Sequence, residues 1–127
     1  MKVLLSIKPE FVKKIFSGEK KYEYRKSIFK REVESILVYS TKPVGKIVGE
    51  IFIEEILIDE PESIWKATSE HSGISYNFFR EYFENRNKGY AIKIKKAILF
   101  DIPIDPFQDD KNFKAPQSYC YIKERRE

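Results

Sequence analysis

The chain has 127 residues, of which 42% are hydrophobic and 15% aromatic, and its formal net charge is +4. This length fits one domain with a compact core, so we expect a single domain over residues 1–127. No apolar stretch approaches the roughly 20 residues that a membrane helix needs, and Lys8 interrupts the first apolar run too early for a signal peptide. The only cysteine, Cys120, excludes an internal disulfide. We therefore expect a cytoplasmic protein without a membrane partner.

The charges are unevenly distributed along the chain. Residues 1–31 hold ten Lys/Arg and three Asp/Glu, whereas residues 50–62 hold six acidic residues and no basic one. A basic beginning beside an acidic middle predicts a polarised surface whose positive part attracts phosphates. An ordinary mixed surface is the alternative interpretation.

The first predicted elements are a strand, a short helix and a second strand. Residues 4–7 form an apolar run that is typical of a strand. Residues 10–16 carry apolar side chains at helical spacing, and Pro9 fits the first helical position. Gly18 lies where a helix commonly ends in the left-handed conformation. Residues 22–25 then alternate as in a strand.

The alternation in the second strand points to a polar site. It places the two tyrosines of the strand on one face and Glu23 with Arg25 on the other. If the tyrosines cover the core, Glu23 and Arg25 project together, and a turn brings Lys20 alongside them. With Lys8 nearby, this group has both donors and acceptors. A surface ion pair of little energetic value is the alternative.

Two more strands are predicted in the middle of the chain. Residues 33–39 form an apolar run that ends at Ser40 and Thr41, before a turn. The longest strand candidate, residues 46–59, changes its apolar parity at residues 54–55. A one-residue bulge there would return both apolar pairs to the same face, which the long strands of a small barrel require.

Helices, a strand and an irregular tail are predicted for the remainder. Residues 61–86 are expected to hold two helices, the second over residues 76–86 with Ser75 as its N-cap. The aromatic side chains of the second helix have helical spacing, which favours core packing. Residues 89–104 are typical of a strand, with Pro103 at a bend or an edge. The last twenty residues are expected to be irregular, with their aromatic side chains packed on the barrel.

Several segments together resemble the ASCH domain, the activating-signal-cointegrator homology domain of the PUA-like superfamily. Residues 18–25, with the sequence GEKKYEYR, match its G-x-K-x-x-E-x-R signature. Further similarity lies in residues 6–9, 40–50 and 115–121. The resemblance implies an α+β fold: a PUA-like five- or six-stranded mixed β-barrel with a few peripheral helices.

The resemblance also implies that the chain binds RNA or a nucleotide in a cleft, with a link to RNA metabolism or to regulation of transcription or translation. The chemistry of the residues agrees, because a carboxylate accepts from a base amino group and an arginine holds a carbonyl or phosphate with two hydrogen bonds. The candidate binding residues are Lys8, Lys20, Glu23, Arg25, Ser40, Thr41, Gln117 and Ser118.

The composition argues against several kinds of catalytic site. One histidine, His71, and one cysteine cannot make a usual zinc site, and there is no phosphate-binding glycine loop or nucleophile elbow. We expect no metal and no cofactor.

An enzyme is the alternative to a binding protein. Some ASCH-like proteins are amidohydrolases that deacetylate N4-acetylcytidine with a lysine, a threonine and a glutamate. Lys20 falls on that lysine, but Glu23 occupies the threonine position and the catalytic glutamate has no secure equivalent. Other members are proposed to cut RNA, for which Lys, Glu and Arg could supply acid–base groups. We expect binding rather than catalysis, with Lys20 as the catalytic candidate if the protein is an enzyme; a protein-interaction module is a third possibility.

Overall fold

A six-stranded mixed sheet, curled into a half-barrel, forms the body of the molecule. The structure is a computed structural model and describes residues 1–122. The elements in chain order are β1 (Lys2–Ile7), α1 (Pro9–Ser17), β2 (Tyr22–Arg25), β3 (Ser35–Ser40), β4 (Lys46–Asp59), α2 (Pro61–Thr68), a 3₁₀ turn (Ser69–His71), α3 (Tyr76–Tyr82), β5 (Gly89–Ile104), α4 (Pro106–Asp109) and β6 (Tyr119–Ile122). The predicted α+β class with a mixed, barrel-like sheet is confirmed.

The strand order is β2-β5-β4-β3-β1-β6, which makes β2 and β6 the two edges of the sheet. Strands β1 and β3 are parallel, and the other neighbours are antiparallel. Strand β6 pairs with β1 so that Lys2 lies opposite Ile122. Curling of the sheet brings its two edges towards each other at the end where β2 finishes.

Helix α1 forms and ends as its sequence predicts. Pro9 occupies its first turn, and Val12 and Ile15 are its buried residues. Gly18 ends the helix with φ of 87°, and its N–H donates to the Ile15 carbonyl. Only glycine adopts this left-handed conformation at little cost. The apolar face of α1 packs on the main core inside the half-barrel, with members such as Val3, Leu5, Ile36, Val38, Ile51 and Ile92.

A second, smaller core lies on the other side of β2, under the two helices of the 61–82 segment. Its buried members are Tyr24, Ile64, Phe79, Phe83 and Ala91. Strand β2 therefore has a core on each face, and the helices fix its position against β5.

The long antiparallel pair of β4 and β5 is bulged. Ile53 pairs with Ile94 and Glu55 pairs with Lys93, so Glu54 is the extra residue. This confirms the bulge that the parity change at residues 54–55 predicts. The bulge turns the strand and lets both halves contribute to the curled sheet.

Several predicted boundaries differ from the structure. Strands β1 and β3 begin at Lys2 and Ser35 rather than at residues 4 and 33. The second helix of the 61–86 segment ends at Tyr82 rather than at residue 86. The tail contains α4 and β6, where an irregular chain is predicted, and its packing on the barrel is confirmed by the contact of Phe113 with Tyr39. Among residues 1–122, no helix has both the length and the apolar character needed to cross a bilayer.

Candidate functional site

A cavity of about 500 Å³ opens between β1, β2, the start of α1, the α2–α3 connection and the tail before β6. We call it the cleft. Its polar lining comes from Ser6, Lys8, Lys20, Glu23, Arg25, Thr41 and Gln117. Its apolar lining comes from Ile7, Phe11, Tyr24, Ile74, Phe78, Tyr82, Ala115 and Pro116.

The alternation of β2 sends Tyr24 and Glu23 to opposite faces of the strand. Tyr24 packs edge-on against Phe79 with 5.0 Å between ring centroids, on the side of α2 and α3. Glu23 lies opposite Ile92 of β5, which belongs to the main core. Directly opposed residues share a face of the sheet, so Glu23 and Arg25 lie on the barrel side. They share the face opposite Tyr24, as the alternation predicts, but the sequence did not predict that this face belongs to the barrel.

Arg25 joins the two edges of the sheet. Its Nη1 donates to Glu23 Oε2 at 3.2 Å and to the Ser6 carbonyl at 3.4 Å. Its Nη2 donates to Ser118 Oγ at 2.8 Å. The Arg25 and Glu23 side chains are only 12% and 7% exposed. This ion pair is therefore not the solvated surface pair that the sequence left open as an alternative.

Lys20 is almost completely buried, with 2% of its surface exposed. Its Nζ donates to the Ser72 carbonyl at 2.8 Å and lies 4.6 Å from the centre of the Tyr24 ring. Burial lowers the pKa of Lys20 from 10.5 to about 8; the nearby Glu23 carboxylate opposes this shift, and Lys14 adds to it. Part of the Lys20 population is consequently a neutral amine at mildly alkaline pH.

The tail forms one wall of the cleft. Ser6 holds it twice, because its Oγ donates to the Pro116 carbonyl at 2.7 Å and its N–H donates to the Ser118 carbonyl at 3.2 Å. Gln117 is exposed on this wall. Together with Arg25, these contacts place the tail over the end of β1.

The structure brings together most of the predicted site residues. Six of them line the cleft: Lys8, Lys20, Glu23, Arg25, Thr41 and Gln117. Ser118 reaches the site through its hydrogen bond with Arg25. Ser40 does not reach the cleft: it is 2% exposed and lines a separate groove beside α1.

Sequence reasoning missed the aromatic part of the lining. Phe78 is assigned to the core by its helical spacing, yet it is 37% exposed and faces the cleft, with its ring 5.3 Å from that of Phe11. Tyr82 also lines the cleft, under the Lys26 ammonium group at 4.7 Å. The available signal was the number of aromatic residues in α3, which is more than one face of a two-turn helix can bury.

No group of three or more His, Cys, Asp or Glu side chains within residues 1–122 is arranged to hold a metal ion. The chemistry of the cleft rests instead on a buried amine, a carboxylate–guanidinium pair and aromatic rings.

The ASCH domain family model matches residues 5–98. The chain therefore belongs to the ASCH domain family.

Two matches cover nearly the whole chain and most of the protein matched. The ASCH domain-containing ribonuclease of Zymomonas mobilis is 28% identical over 123 residues, which are 94% of this chain and 83% of that protein. A crystal structure of ASCH from Zymomonas mobilis has a TM-score of 0.89 and 28% identity, over 97% of this chain and 88% of that one.

A further match covers only part of the relative. The large ribosomal subunit protein uL22 of Ureaplasma parvum is 31% identical over 122 residues. These are 95% of this chain but only 39% of the uL22 protein, so the chain spans well under half of that relative.

Proposed function

We propose that this protein binds RNA, or a nucleotide, in the cleft. The observation that carries the proposal is the composition of this one cavity, which combines Lys8 and Lys20 with a carboxylate oriented by Arg25 and with exposed aromatic rings. RNA as the ligand class is supported by the Z. mobilis relative, whose name is that of a ribonuclease.

Each part of the cleft has a role in this proposal. Lys8 is exposed at the rim of the cleft, and Lys20 lies deeper. We assign both side chains to phosphate groups of the ligand, because both are cationic. Phe11 and Phe78 offer ring surfaces, on which unpaired bases stack with little sequence demand. Glu23, oriented by the guanidinium beside it, contacts the base edge.

Titration of labelled single-stranded RNA, duplex RNA and DNA at two salt concentrations tests the proposal. We expect single-stranded RNA to bind most tightly, because a stacked base must be unpaired. Lys8→Ala should weaken all ligands alike and reduce the salt slope by roughly one, since one phosphate contact is lost. The matched control is Lys95→Ala, which removes an exposed lysine of β5 outside the cleft. Binding that is equal in the parent, Lys8→Ala and Lys20→Met proteins would place the ligand elsewhere.

RNA cleavage in the same cleft is a second candidate. Two observations favour it: the name of the Z. mobilis relative, and the pKa of about 8 that burial gives Lys20. As a neutral amine, Lys20 would take the proton of a ribose 2′-hydroxyl. The 2′-oxygen would then attack the adjacent phosphorus, and the 5′-oxygen of the next nucleotide would leave with a proton from solvent.

Incubation with end-labelled RNA distinguishes cleavage from binding. Cleavage predicts a 2′,3′-cyclic phosphate product, a rate that rises towards pH 8, and loss of turnover in Lys20→Met. A 2′-deoxy substitution at the cut site must block the reaction. If the RNA is bound but remains intact, the protein binds RNA without cleaving it and the second candidate is wrong.

We also propose a cytoplasmic location. The support is chemical: Cys120 is an exposed, unpaired thiol, and such thiols persist best in a reducing compartment.

A further inference from the structure

One oxygen of the Glu23 carboxylate is open to the cleft. Arg25 Nη1 donates to Oε2, and within residues 1–122 no group donates to Oε1. Every side-chain nitrogen or oxygen in that range that is sealed from solvent has a hydrogen-bond partner. Oε1 therefore keeps some accessible surface, and Glu23 lines the cleft, although the residue as a whole is only 5% exposed.

The carboxylate is not free to turn towards another donor. Arg25, which holds it, is itself fixed by the Ser6 carbonyl and by Ser118 Oγ. Glu23 therefore presents a positioned acceptor in the lining of the cleft, between the cationic groups of Arg25 and Lys20. A ligand that seals this space must supply a donor to the acceptor, because a buried acceptor without a hydrogen bond is unfavourable.

We propose that Glu23 makes the cleft select a base with an exocyclic amino group and reject uracil. This inference rests on the proposed RNA binding and names the class of nucleotide. Cytosine and uracil have nearly the same shape and the same ability to stack, and they share the carbonyl at position 2. They differ at positions 3 and 4: cytosine accepts at N3 and donates through its 4-amino group, whereas uracil donates through N3–H and accepts at its 4-carbonyl.

The pairing of like groups is what excludes uracil. In the stacked position that cytosine takes, uracil would place its 4-carbonyl oxygen against the Glu23 oxygen, so two acceptors would be buried together. Its N3–H reaches Glu23 only if the ring shifts out of that position. Sites built around one such hydrogen bond discriminate strongly against a ligand that lacks the donor. Lys20 does not offset this preference, because it donates to features that both pyrimidines have: the phosphate or the 2-carbonyl.

Fluorescence anisotropy with oligocytidylate and oligouridylate of equal length measures the preference. We expect the parent protein to bind the cytosine oligomer about ten- to a hundred-fold more tightly, the range of one charge-assisted hydrogen bond. An oligomer of pyrimidin-2-one nucleotides, which is cytosine without its amino group, should bind with intermediate affinity because it lacks both the donor and the repelling carbonyl.

Glu23→Gln tests the residue itself. The amide can donate as well as accept, so uracil gains a partner, cytosine loses its charged one, and the difference between them should fall to within about two- or three-fold. Glu55→Gln, which removes the same charge from an exposed position on β4, should leave the preference intact.

The outcomes separate this inference from the proposed function. If the parent binds the cytosine and uracil oligomers equally, and binding depends on Lys20, the base preference is wrong while RNA binding in the cleft stands. If no oligomer binds, the proposed function fails and the preference with it. If Glu23→Gln fails to fold, the parent's order of affinity for the cytosine, pyrimidin-2-one and uracil oligomers still decides whether the base preference exists.

Discussion

Lys20 is a charged side chain in a place that favours its neutral form. Burial gives it a folded-state pKa of about 8, against 10.5 for an ordinary lysine. Between these two values the unfolded chain holds a proton that the folded chain has released, so the free energy of unfolding rises with pH across this window. The penalty of burying the cation is thus fully present at neutral pH and is relieved above pH 8.

The first prediction concerns this penalty. The gain in free energy of unfolding from Lys20→Met should be about 2 kcal/mol larger at pH 7 than at pH 9.5, because the loss of the bond to the Ser72 carbonyl costs the variant the same at both. Tyr24, whose pKa burial raises to about 12, stays protonated over this range. Urea unfolding at the two pH values measures the effect. An equal gain at both would mean that Lys20 keeps its proton in the folded protein throughout.

Arg25 has a role that its charge alone does not describe. Its planar fork reaches Glu23, the Ser6 carbonyl and Ser118 at once, which a lysine cannot reproduce. Arg25→Lys should therefore lower the free energy of unfolding by about 1–2 kcal/mol and weaken RNA binding by loosening both Glu23 and the tail wall. Arg86→Lys, at an exposed position, is the control. Equal behaviour of the two variants in chemical denaturation would show that charge alone matters.

Among the elements, the connection between α2 and α3 supports the cleft most directly. The Ser72 carbonyl accepts from Lys20, and the Gly73 carbonyl accepts from Lys14 Nζ at 2.9 Å. Gly73 has a φ of +68°, and a Cβ there would lie 2.6 Å from the Lys20 Cβ. The connection and the residues just before β2 are thus in contact through Gly73 and Lys20, with no room for a side chain at Gly73.

Two glycines provide a matched test of this contact. Gly18 also has a positive φ, +87°, but nothing lies within 4 Å of where its Cβ would be. Gly18→Ala should cost about 1 kcal/mol, from backbone strain alone. Gly73→Ala should cost about 2–4 kcal/mol, because overpacking adds to the same strain. Only Gly73→Ala should also weaken RNA binding, since Lys20 must move. Thermal unfolding and anisotropy measure both, and equal losses would contradict the contact.

The elements that local chemistry specifies could be predicted from the sequence. Helix α1 is one, because Pro9, the apolar spacing and Gly18 all lie within ten residues of each other. The bulge at Glu54 is another, since alternation is a local property of a strand. Helix α4 was missed, although Asp105 caps it with Pro106 in its first turn, because four residues give too short a pattern to distinguish from a turn.

At the scale of the whole molecule, the site depends on contacts that no local pattern contains. The alternation of β2 predicts that Glu23 and Arg25 project together, but not that Ser118 will meet them from the other edge of the sheet. Nor does it predict that Ser72 will meet Lys20. Strand β3 shows the same limit, because both of its faces are largely buried. Its pattern could not show that Ser40 points away from the cleft while Thr41 lines it.

The strand pairing predicts that the order of the chain can be changed without changing the fold. Lys2 lies opposite Ile122 in the β1–β6 pair, so the ends of the described chain are close neighbours. A permutant that joins them through a short flexible linker and opens the exposed turn at residues 85–88 should fold and keep the cleft. Circular dichroism and RNA binding would check this. If the permutant does not fold or does not bind RNA while the parent does, the β1–β6 pair needs the original order of the chain.

Because the ends of the described chain are neighbours, the fold can be inserted into another protein chain as one unit. A host chain can enter and leave it at one point, so the host is neither stretched nor wrapped around the insert, and an attachment leaves the opposite, α2–α3 side of the sheet untouched. The match to a portion of the Ureaplasma parvum uL22 protein has the form that such an insertion would take. In such a fusion, the host protein would determine where in the cell the cleft lies, and the residues of the cleft would determine what it binds.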